Sequence, residues 1–355
     1  MAEPLEGGGI TDPAQRFLIV RLSSIGDIVH ALPAAAALAE TFPQAQIDWV
    51  VEKRHALLLD GNPQLHRIVI LDSLGWRKHL TSSATWHEIR NGIGDLRATA
   101  YDAAIDFQGL WKSAVVAWLS RARERIGFTA VGLREPSAGI LYTQQVARPE
   151  HVHVVKENMA LVEHLGARTE RWQFPLPRNE KDDAYIESQL AALNSENFII
   201  VNPGGGWRSK CWSPENYAAL IRQWAGARSE PAILTGAPSD EPVMRKILKS
   251  ADVAGARYVP TTLVQFIALA RRARLFVGSD TGPMHLAAAV GTPIVGIFGP
   301  TDPVRNGPFC ADDITLWNRG PINHTRRGEN PDYLPGISVE SVLAALEKRL
   351  ARVHE

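Results

Sequence analysis

The sequence predicts an α/β protein made of two doubly wound parallel-sheet domains. Short apolar runs alternate with helix-like segments along the chain, which is typical of parallel strands joined by crossover helices. Both halves open alike, with an apolar run, a loop of Gly or Ser, and a helix. The 355 residues also exceed what one hydrophobic core comfortably holds.

In the first half, residues 16–20 form an apolar run that predicts a buried strand. The loop 23–27 follows, and then a helix from about 28 to 40 that ends before Pro43. Further strands are expected at 47–52, 67–72 and 101–107, and helices at 88–97, 110–121 and 154–165.

The second half repeats this pattern. A strand at 198–201 leads into the loop 202–206, and a helix begins at Pro214, a favourable first helical residue after Ser213. Strands at 232–234, 275–278 and 293–299 and helices at 241–249 and 263–272 are expected to follow. The polar stretch 178–196 is expected to contain the linker, and a final helix is expected at about 339–352.

Composition narrows the classes of function. Lys and Arg together number 38, as do Asp and Glu, so no bulk nucleic-acid binding is expected. The two cysteines lack metal-ligand spacing, which fits a reducing cytosol. The sequence shows no apolar signal core and no run long enough for a membrane span.

The run 280–286 is the most informative segment. An apolar stretch precedes it and a small-residue run follows it, which indicates a strand, a tight turn through Gly282 and a helix start. Unpaired N–H groups and the positive end of the helix dipole suit a phosphate there. Asp280 is expected to orient this loop or to hold a ribose or sugar hydroxyl, and His285 to be a helix residue that faces a loop.

Ligands of parallel α/β sheets bind at the carboxyl ends of the strands. Three loops of this sequence lie at such ends, and they would line a cleft between two facing sheets. They are the loops 23–27, 202–210 and 280–284.

Two charged residues of these loops have two interpretations each. Asp27 is either an acid in the first turn of a helix or a general base that takes a proton from an attacking hydroxyl. Lys210 is either a solvated lysine or the group that neutralises a departing diphosphate. Gly204 and Gly205 would let the backbone approach that diphosphate closely.

Other polar residues also have a structural alternative. Asp240 and Glu241 either begin a helix or bind a ribose diol. Four cations of the first half are either scattered surface charge or converge, near Gln108, on an anionic acceptor. They are Arg77, Lys78, Lys112 and Arg134.

Four motifs together resemble the family 9 glycosyltransferases, the ADP-heptose:lipopolysaccharide heptosyltransferases. The resemblance runs from about residue 16 to residue 303. The motifs are residues 20–30 (VRLSSIGDIVH), 106–113 (DFQGLWKS), 278–285 (GSDTGPMH) and 298–303 (FGPTDP).

The resemblance implies a GT-B architecture, with two Rossmann-like domains that face an interdomain cleft, and an inverting transfer without metal or cofactor. The donor would be ADP-heptose. The acceptor would be Kdo–lipid A at the inner leaflet of the inner membrane, so the enzyme would be cytoplasmic with transient contact to the membrane surface. Asp27 matches the family's base, Lys210 its diphosphate-binding lysine, and Asp280, Thr281 and Gly282 its donor-binding turn.

The substrate residues expected on this basis fall into two sets. The donor side and cleft comprise Ser23, Ser24, Gly26, Gly204, Gly205, Asp240, Glu241, Asp280, Thr281, Gly282 and His285. The acceptor side comprises Arg77, Lys78, Gln108, Lys112 and Arg134.

Residues 76–78, 108–113 and 134–136 are similar to the heptosyltransferase I branch, which adds the first heptose to Kdo. The loop 202–206, which would bind the donor, departs from that branch, because glycines stand where threonines are usual. Another nucleotide sugar, a second-heptose acceptor, or a nucleotide-sugar 2-epimerase of the same architecture therefore remain alternatives. The expected domains are an extension at 1–15, an acceptor domain at 16–185, a donor domain at 186–335, and a helix at 336–355 that packs back across them.

Overall fold

The computed structural model describes residues 15–191, 193, 195–205, 208–320 and 334–352. Its contacts divide the chain into two compact units, residues 1–175 and 176–355. The domain boundary predicted at residue 185 falls later in the chain than this division. The reason is that the polar stretch expected to hold the linker contains a helix of the second unit. That helix, Glu180–Leu190, contacts helix Leu263–Ala270, and Tyr185 donates from its hydroxyl to the Pro260 carbonyl at 3.0 Å.

The first unit is a six-stranded parallel sheet with helices between its strands. Its strands are β1 (Arg16–Val20), β2 (Gln46–Glu52), β3 (Arg67–Leu71), β4 (Ala103–Asp106), β5 (Glu124–Phe128) and β6 (Gln144–Val146). Its helices are α1 (Ile25–Thr41), α2 (Ser73–Lys78), α3 (Ser83–Ala98), α4 (Trp111–Leu119) and α5 (Val154–Glu163). The order of the strands is β3-β2-β1-β4-β5-β6.

The second unit is also a six-stranded parallel sheet. Its strands are β7 (Ile199–Asn202), β8 (Ala232–Gly236), β9 (Ala256–Pro260), β10 (Leu275–Ser279), β11 (Ile294–Phe298) and β12 (Ile314–Trp317). Its helices are α6 (Glu180–Leu190), α7 (Pro214–Ala227), α8 (Glu241–Ala251), α9 (Leu263–Ala270), α10 (Gly282–Ala289), α11 (Pro303–Asn306) and α12 (Val339–Ala351).

The two sheets have the same topology. Read from β9, the second sheet runs β9-β8-β7-β10-β11-β12, which is the first sheet's order. In each, the chain reverses direction across the sheet between the first and fourth strands of the unit, and ligands of such sheets bind at this reversal. Val20 pairs with Asp106 there in the first unit, and Asn202 pairs with Gly278 in the second.

The central strands form because they are continuous apolar runs, as expected of strands covered on both faces. Phe17, Leu18, Ile19 and Val20 of β1 are fully buried. The predicted helix start at Pro214 is confirmed, and Ser213 caps it by accepting from the Asn216 amide at 3.1 Å.

The predicted segments at the two ends of the chain can be compared with the structure only in part. The extension predicted at 1–15 lies outside the described residues except for Gln15. At the other end, α12 contacts α7 and β11 of the second unit and buries Val342, Leu346 and Leu350. That this helix also crosses to the first domain stays a prediction.

Candidate active site

The loop after β1 places Asp27 in the first turn of α1. The Ser24 amide and hydroxyl donate to Asp27 Oδ2 at 3.0 and 2.7 Å, and Arg21 forms an ion pair with Oδ1. Asp27 therefore occupies the position of a first-turn acid, which is the first of the two interpretations given above. The Asp27 side chain nevertheless stays 40% exposed, so its carboxylate remains open to solvent.

The loop after β4 is tied to the loop after β1. Gln108 Oε1 accepts from the Leu22 amide at 2.9 Å, Lys112 Nζ donates to Ser23 Oγ at 3.4 Å, and Arg21 also donates to the Phe107 carbonyl. Two predicted acceptor residues, Gln108 and Lys112, are thus brought to the Asp27 loop.

Asp106 shapes the loop that carries Gln108. It is fully buried and accepts from the Tyr142 hydroxyl at 2.7 Å and from the Gln108 and Gly109 amides at 2.8 and 3.1 Å. Burial raises the pKa of Asp106, and these hydrogen bonds oppose the shift. Gly109 has φ +65°, the left-handed region that glycine adopts at no steric cost.

The remaining predicted acceptor cations differ in their placement. Burial lowers the pKa of Lys112; Glu52 opposes this, while Arg77, Arg54 and Arg21 add to it by charge repulsion. Arg77 therefore lies within electrostatic range of Lys112. Lys78 is exposed at the end of α2, and Arg134 is exposed in the loop after β5.

Asp280, directly after β10, is the centre of the second unit's site. Lys210 Nζ donates to Oδ2 at 2.6 Å, Thr301 Oγ1 donates to the same oxygen at 2.7 Å, and His285 Nε2 lies 3.1 Å from Oδ1. Burial alone would raise the pKa of Asp280, but the His285 contact and the charge of Lys210 hold it well below its usual range. Asp280 is thus an ionised carboxylate that fixes Lys210.

The turn that follows Asp280 has the predicted form. Thr281 stands at the N-cap position of α10 without a side-chain capping hydrogen bond, and Gly282 is the first residue of the helix. The first amides of α10 therefore lie beside Asp280, which binds Lys210. Thr281 Oγ1 is buried, and no described residue hydrogen-bonds to it. A Cβ on Gly278 would lie 2.7 Å from the Asn202 carbonyl oxygen, so only glycine lets β10 approach β7 this closely.

The loop after β7 and the start of α8 lie next to each other. Asp240 Oδ2 accepts from the Ala237 amide at 3.0 Å and would lie 3.4 Å from a Cβ on Gly204. Glu241 instead pairs with Arg245 one helical turn away at 2.6 Å. Gly205 is exposed, and Gly206 lies outside the described residues.

Sequence reasoning missed four residues of these sites. Arg21, Asp106 and Thr301 stand inside the motifs, yet only their contacts show that they hold Asp27, Gln108 and Asp280. The fourth, His55, lies in the 3-10 helix Lys53–Leu58 after β2. It is buried, and no described residue hydrogen-bonds to either ring nitrogen.

The environment of His55 keeps it neutral. Burial, together with the charges of Arg54 and Lys112, lowers the pKa of His55 to about 4, although Asp27 opposes the shift. No motif signals this residue in the sequence.

The model of glycosyltransferase family 9 (heptosyltransferase) matches residues 90–333. The chain belongs to glycosyltransferase family 9. It is 30% identical over 314 residues to lipopolysaccharide heptosyltransferase 1 of Pseudomonas aeruginosa, covering 85% of this chain and 83% of that protein. The predicted resemblance and the assignment as a glycosyltransferase are confirmed.

Solved structures agree with the family assignment. The Escherichia coli heptosyltransferase WaaC with ADP is 26% identical, with a TM-score of 0.77 over 94% of this chain and 100% of that one. The same enzyme with ADP-2-deoxy-2-fluoro heptose gives a TM-score of 0.74 at 26% identity, over 94% and 99% of the two chains. The predicted α/β class with two Rossmann-like parallel sheets is confirmed.

The described residues lack two further features. No helix there is both long and apolar enough to cross a bilayer. Within the same residues, no three or more His, Cys, Asp or Glu side chains are grouped so that they could hold a metal ion.

Proposed function

We propose that this enzyme transfers heptose from ADP-L-glycero-D-manno-heptose to Kdo of the lipopolysaccharide inner core. The observation that carries the proposal is the Lys210–Asp280 pair at 2.6 Å, beside the first turn of α10. It gives a family 9 chain a fixed cation where a nucleotide diphosphate would bind. The relatives named above, one of which was solved with ADP and with an ADP-heptose analogue, support this donor.

The donor groups have separate tasks in this proposal. Lys210 and the Thr281 and Gly282 amides bind the diphosphate, and Gly204 and Gly205 let it approach the backbone. Asp240, next to Gly204, binds the ribose. Because Asp280 already holds Lys210, the ammonium need not reorganise when negative charge gathers on departing ADP.

The transfer is a single displacement. Asp27 removes the proton from an acceptor hydroxyl as its oxygen attacks the anomeric carbon of the heptose. The bond from that carbon to the diphosphate oxygen breaks, and both electrons leave with ADP. Attack from the face opposite the leaving group inverts the anomeric configuration. Charge neutralisation by Lys210 makes a metal unnecessary, so EDTA should leave the rate unchanged.

The acceptor side recognises an anionic sugar lipid. Lys112 and Arg77 lie within electrostatic range of each other, and Gln108 is tied to the Asp27 loop. Cations here suit the carboxylate of Kdo, since arginine can bind a carboxylate through two hydrogen bonds. Arg134 and Lys78 would add to this attraction. Because Kdo–lipid A resides in the inner membrane, the enzyme would be cytoplasmic and peripheral to that membrane.

The test is release of ADP from ADP-L-glycero-D-manno-heptose with and without heptose-free Kdo–lipid A. Release only with this acceptor, together with a heptosylated product, supports first-heptose transfer. Release only with an acceptor that already carries one heptose would move the assignment to the second heptose. A 2-epimer formed without any acceptor would instead indicate the epimerase alternative.

A further inference from the structure

Helix α4 presents an aromatic face to solvent. Trp111 and Trp118 are 42% and 52% exposed, and Val115 between them is exposed as well. The spacing i, i+4, i+7 puts the three side chains on one face of a helix. The opposite face, including Ser113 and Val116, is buried, so the aromatic face is not part of the core.

The apolar surface extends beyond α4. The 3-10 helix Pro136–Leu141 contacts α4 and exposes Ile140. Trp111 Nε1 donates to Ser137 Oγ of that segment at 3.1 Å, which fixes the indole at the surface. We call Trp111, Val115, Trp118 and Ile140 the α4 face. Large exposed apolar side chains grouped on neighbouring segments mark an interaction site more often than singly scattered ones do.

Arginines flank the α4 face at both ends of the helix. Arg121 and Arg123 follow its last turn and are exposed; Arg123 has an Asp102 partner only at 3.4 Å. Arg134 precedes Glu135, whose carboxylate accepts from the Trp111 amide at 2.7 Å. Indole rings between cations match the interface of a bilayer with anionic headgroups, where Trp is enriched and Arg attracts acidic lipids.

We propose that the α4 face docks onto the surface of an anionic bilayer. The inference rests on the proposed function only for its consequence, which is delivery of a lipid-borne acceptor. Lys112 is the neighbour of Trp111 but turns inward to Ser23 at 3.4 Å. One helix therefore joins the docking surface to the Asp27 loop, and docking would present the sugar end of the lipid beside that loop.

The test is sedimentation of the full chain with vesicles of phosphatidylethanolamine and phosphatidylglycerol. The double variant Trp111→Ala/Trp118→Ala should lower the bound-to-free ratio by roughly 10-fold or more, because interfacial binding scales with buried apolar area. The matched control is Trp86→Ala, which removes a 59% exposed indole from α3 and should leave binding unchanged. Circular dichroism and the melting temperature confirm that each variant is folded.

The arginines that flank the α4 face provide a second part of the vesicle experiment. Arg121→Gln/Arg123→Gln should weaken binding to the anionic vesicles and not to phosphatidylcholine vesicles. Equal vesicle binding by the wild type and the double tryptophan variant would overturn the proposal, as would equal losses in that variant and Trp86→Ala. A wild type that ignores vesicles but dimerises, while the double variant stays monomeric, would assign the face to a second copy of the chain.

Activity separates this proposal from the proposed function. Transfer to a lipid-free Kdo saccharide should be equal in the wild type and the double tryptophan variant, whereas KM for Kdo–lipid A in vesicles should rise in the variant. If no transfer occurs with either acceptor, the proposed function fails while the vesicle experiment still decides the docking surface.

Discussion

The two units use the same sheet order, yet they secure their active-site loops differently. In the first unit, the loop after β4 is joined to the loop after β1 by Gln108 and Leu22 at 2.9 Å, with Asp106 holding the loop from within. In the second unit, one buried carboxylate, Asp280, directly binds Lys210 of the loop after β7. Arg21 and Lys112 also connect the first unit's two loops, but each donates across to a neutral oxygen, whereas the connection in the second unit is an ion pair.

The contrast separates two acids that the sequence places at similar strand-to-helix turns. Asp280 is 6% exposed and has three side-chain partners, so it orients other groups and cannot accept a substrate proton. Asp27 is 40% exposed, although Arg21 and Ser24 bind it. Exposure to solvent, more than position in the turn, distinguishes the candidate base from the residue that positions the cation.

Removing Asp280 should break the ion pair with Lys210 in the second unit, and we expect this change to have the largest effect on stability. Asp280→Ala leaves Lys210 and His285 without their shared partner, and we expect the free energy of unfolding to fall by about 3–5 kcal/mol. Denaturant unfolding measures this, and calorimetry should show weaker ADP binding at a temperature where the variant is folded. Thr301→Val, which removes one donor but no charge, is the control and should lose less. Equal stability of Asp280→Ala and the wild type would show that the pair does not hold this site.

Changing Asp27 tests the same comparison in the first unit. Asp27→Asn keeps an oxygen that can accept from Ser24 but abolishes a base, so kcat should fall by about 10²–10⁴-fold. ADP affinity should stay near that of the wild type, because Asp27 belongs to the other unit from Lys210. Glu163→Gln, which changes an exposed acid at the end of α5 in the same unit, is the matched control for charge. A parallel loss of ADP binding in Asp27→Asn would reject the role as base.

Changing Lys210 should have a smaller effect, on nucleotide affinity, and this effect tests whether Lys210 contacts the diphosphate or another part of the nucleotide. Lys210→Ala should weaken ADP binding by roughly 10–100-fold, as expected for loss of one charge-assisted hydrogen bond. AMP binding should weaken less, because AMP lacks the second phosphate. Titration calorimetry with both nucleotides measures the ratio, and Lys249→Ala, on helix α8, is the control. Equal losses for ADP and AMP would move Lys210 away from the diphosphate.

Sequence patterns predicted the buried parts of this fold better than its edges. Strands β1, β2, β7 and β10 are apolar runs, and the structure confirms them. The segments β6, β9 and β12 lie at sheet edges, where side chains are half exposed and composition resembles that of a loop. Helix α6 was hidden in the predicted linker because its residues are mostly polar and it buries only Ile186.

The site divides in a similar way. Sequence patterns singled out Asp27, Lys210 and Asp280 as candidates, since each stands in a loop or helix start that follows a predicted strand. They could not reveal that Asp280 binds Lys210, because the two residues are 70 positions apart and meet only when β7 and β10 pair. His55 had no signal at all, since a single histidine after a strand is common and only its missing partners make it unusual.

His55 offers the smallest and most local test, one that concerns only the first unit. Its ring nitrogens are buried and no described residue hydrogen-bonds to them, so His55→Phe should raise the free energy of unfolding by about 1 kcal/mol. Leu58→Ala, at a buried site of the same 3-10 helix, is the control for packing and should destabilise.

The pH dependence of this stabilisation has a defined sign. The pKa of His55 is about 4 in the folded protein and 6.5 in its ordinary state, so between these values the unfolded chain binds a proton that the folded one does not. The wild type should therefore lose stability as pH falls from about 6.5 towards 4. His55→Phe removes this contribution, and its advantage over the wild type should grow across that window. Urea unfolding of both proteins at matched pH measures the difference. The two proteins share the same carboxylates, so the contributions of these groups to the pH dependence of stability cancel. A constant difference would mean that His55 is protonated in the fold, with an acidic partner such as Asp27 close enough to outweigh its burial.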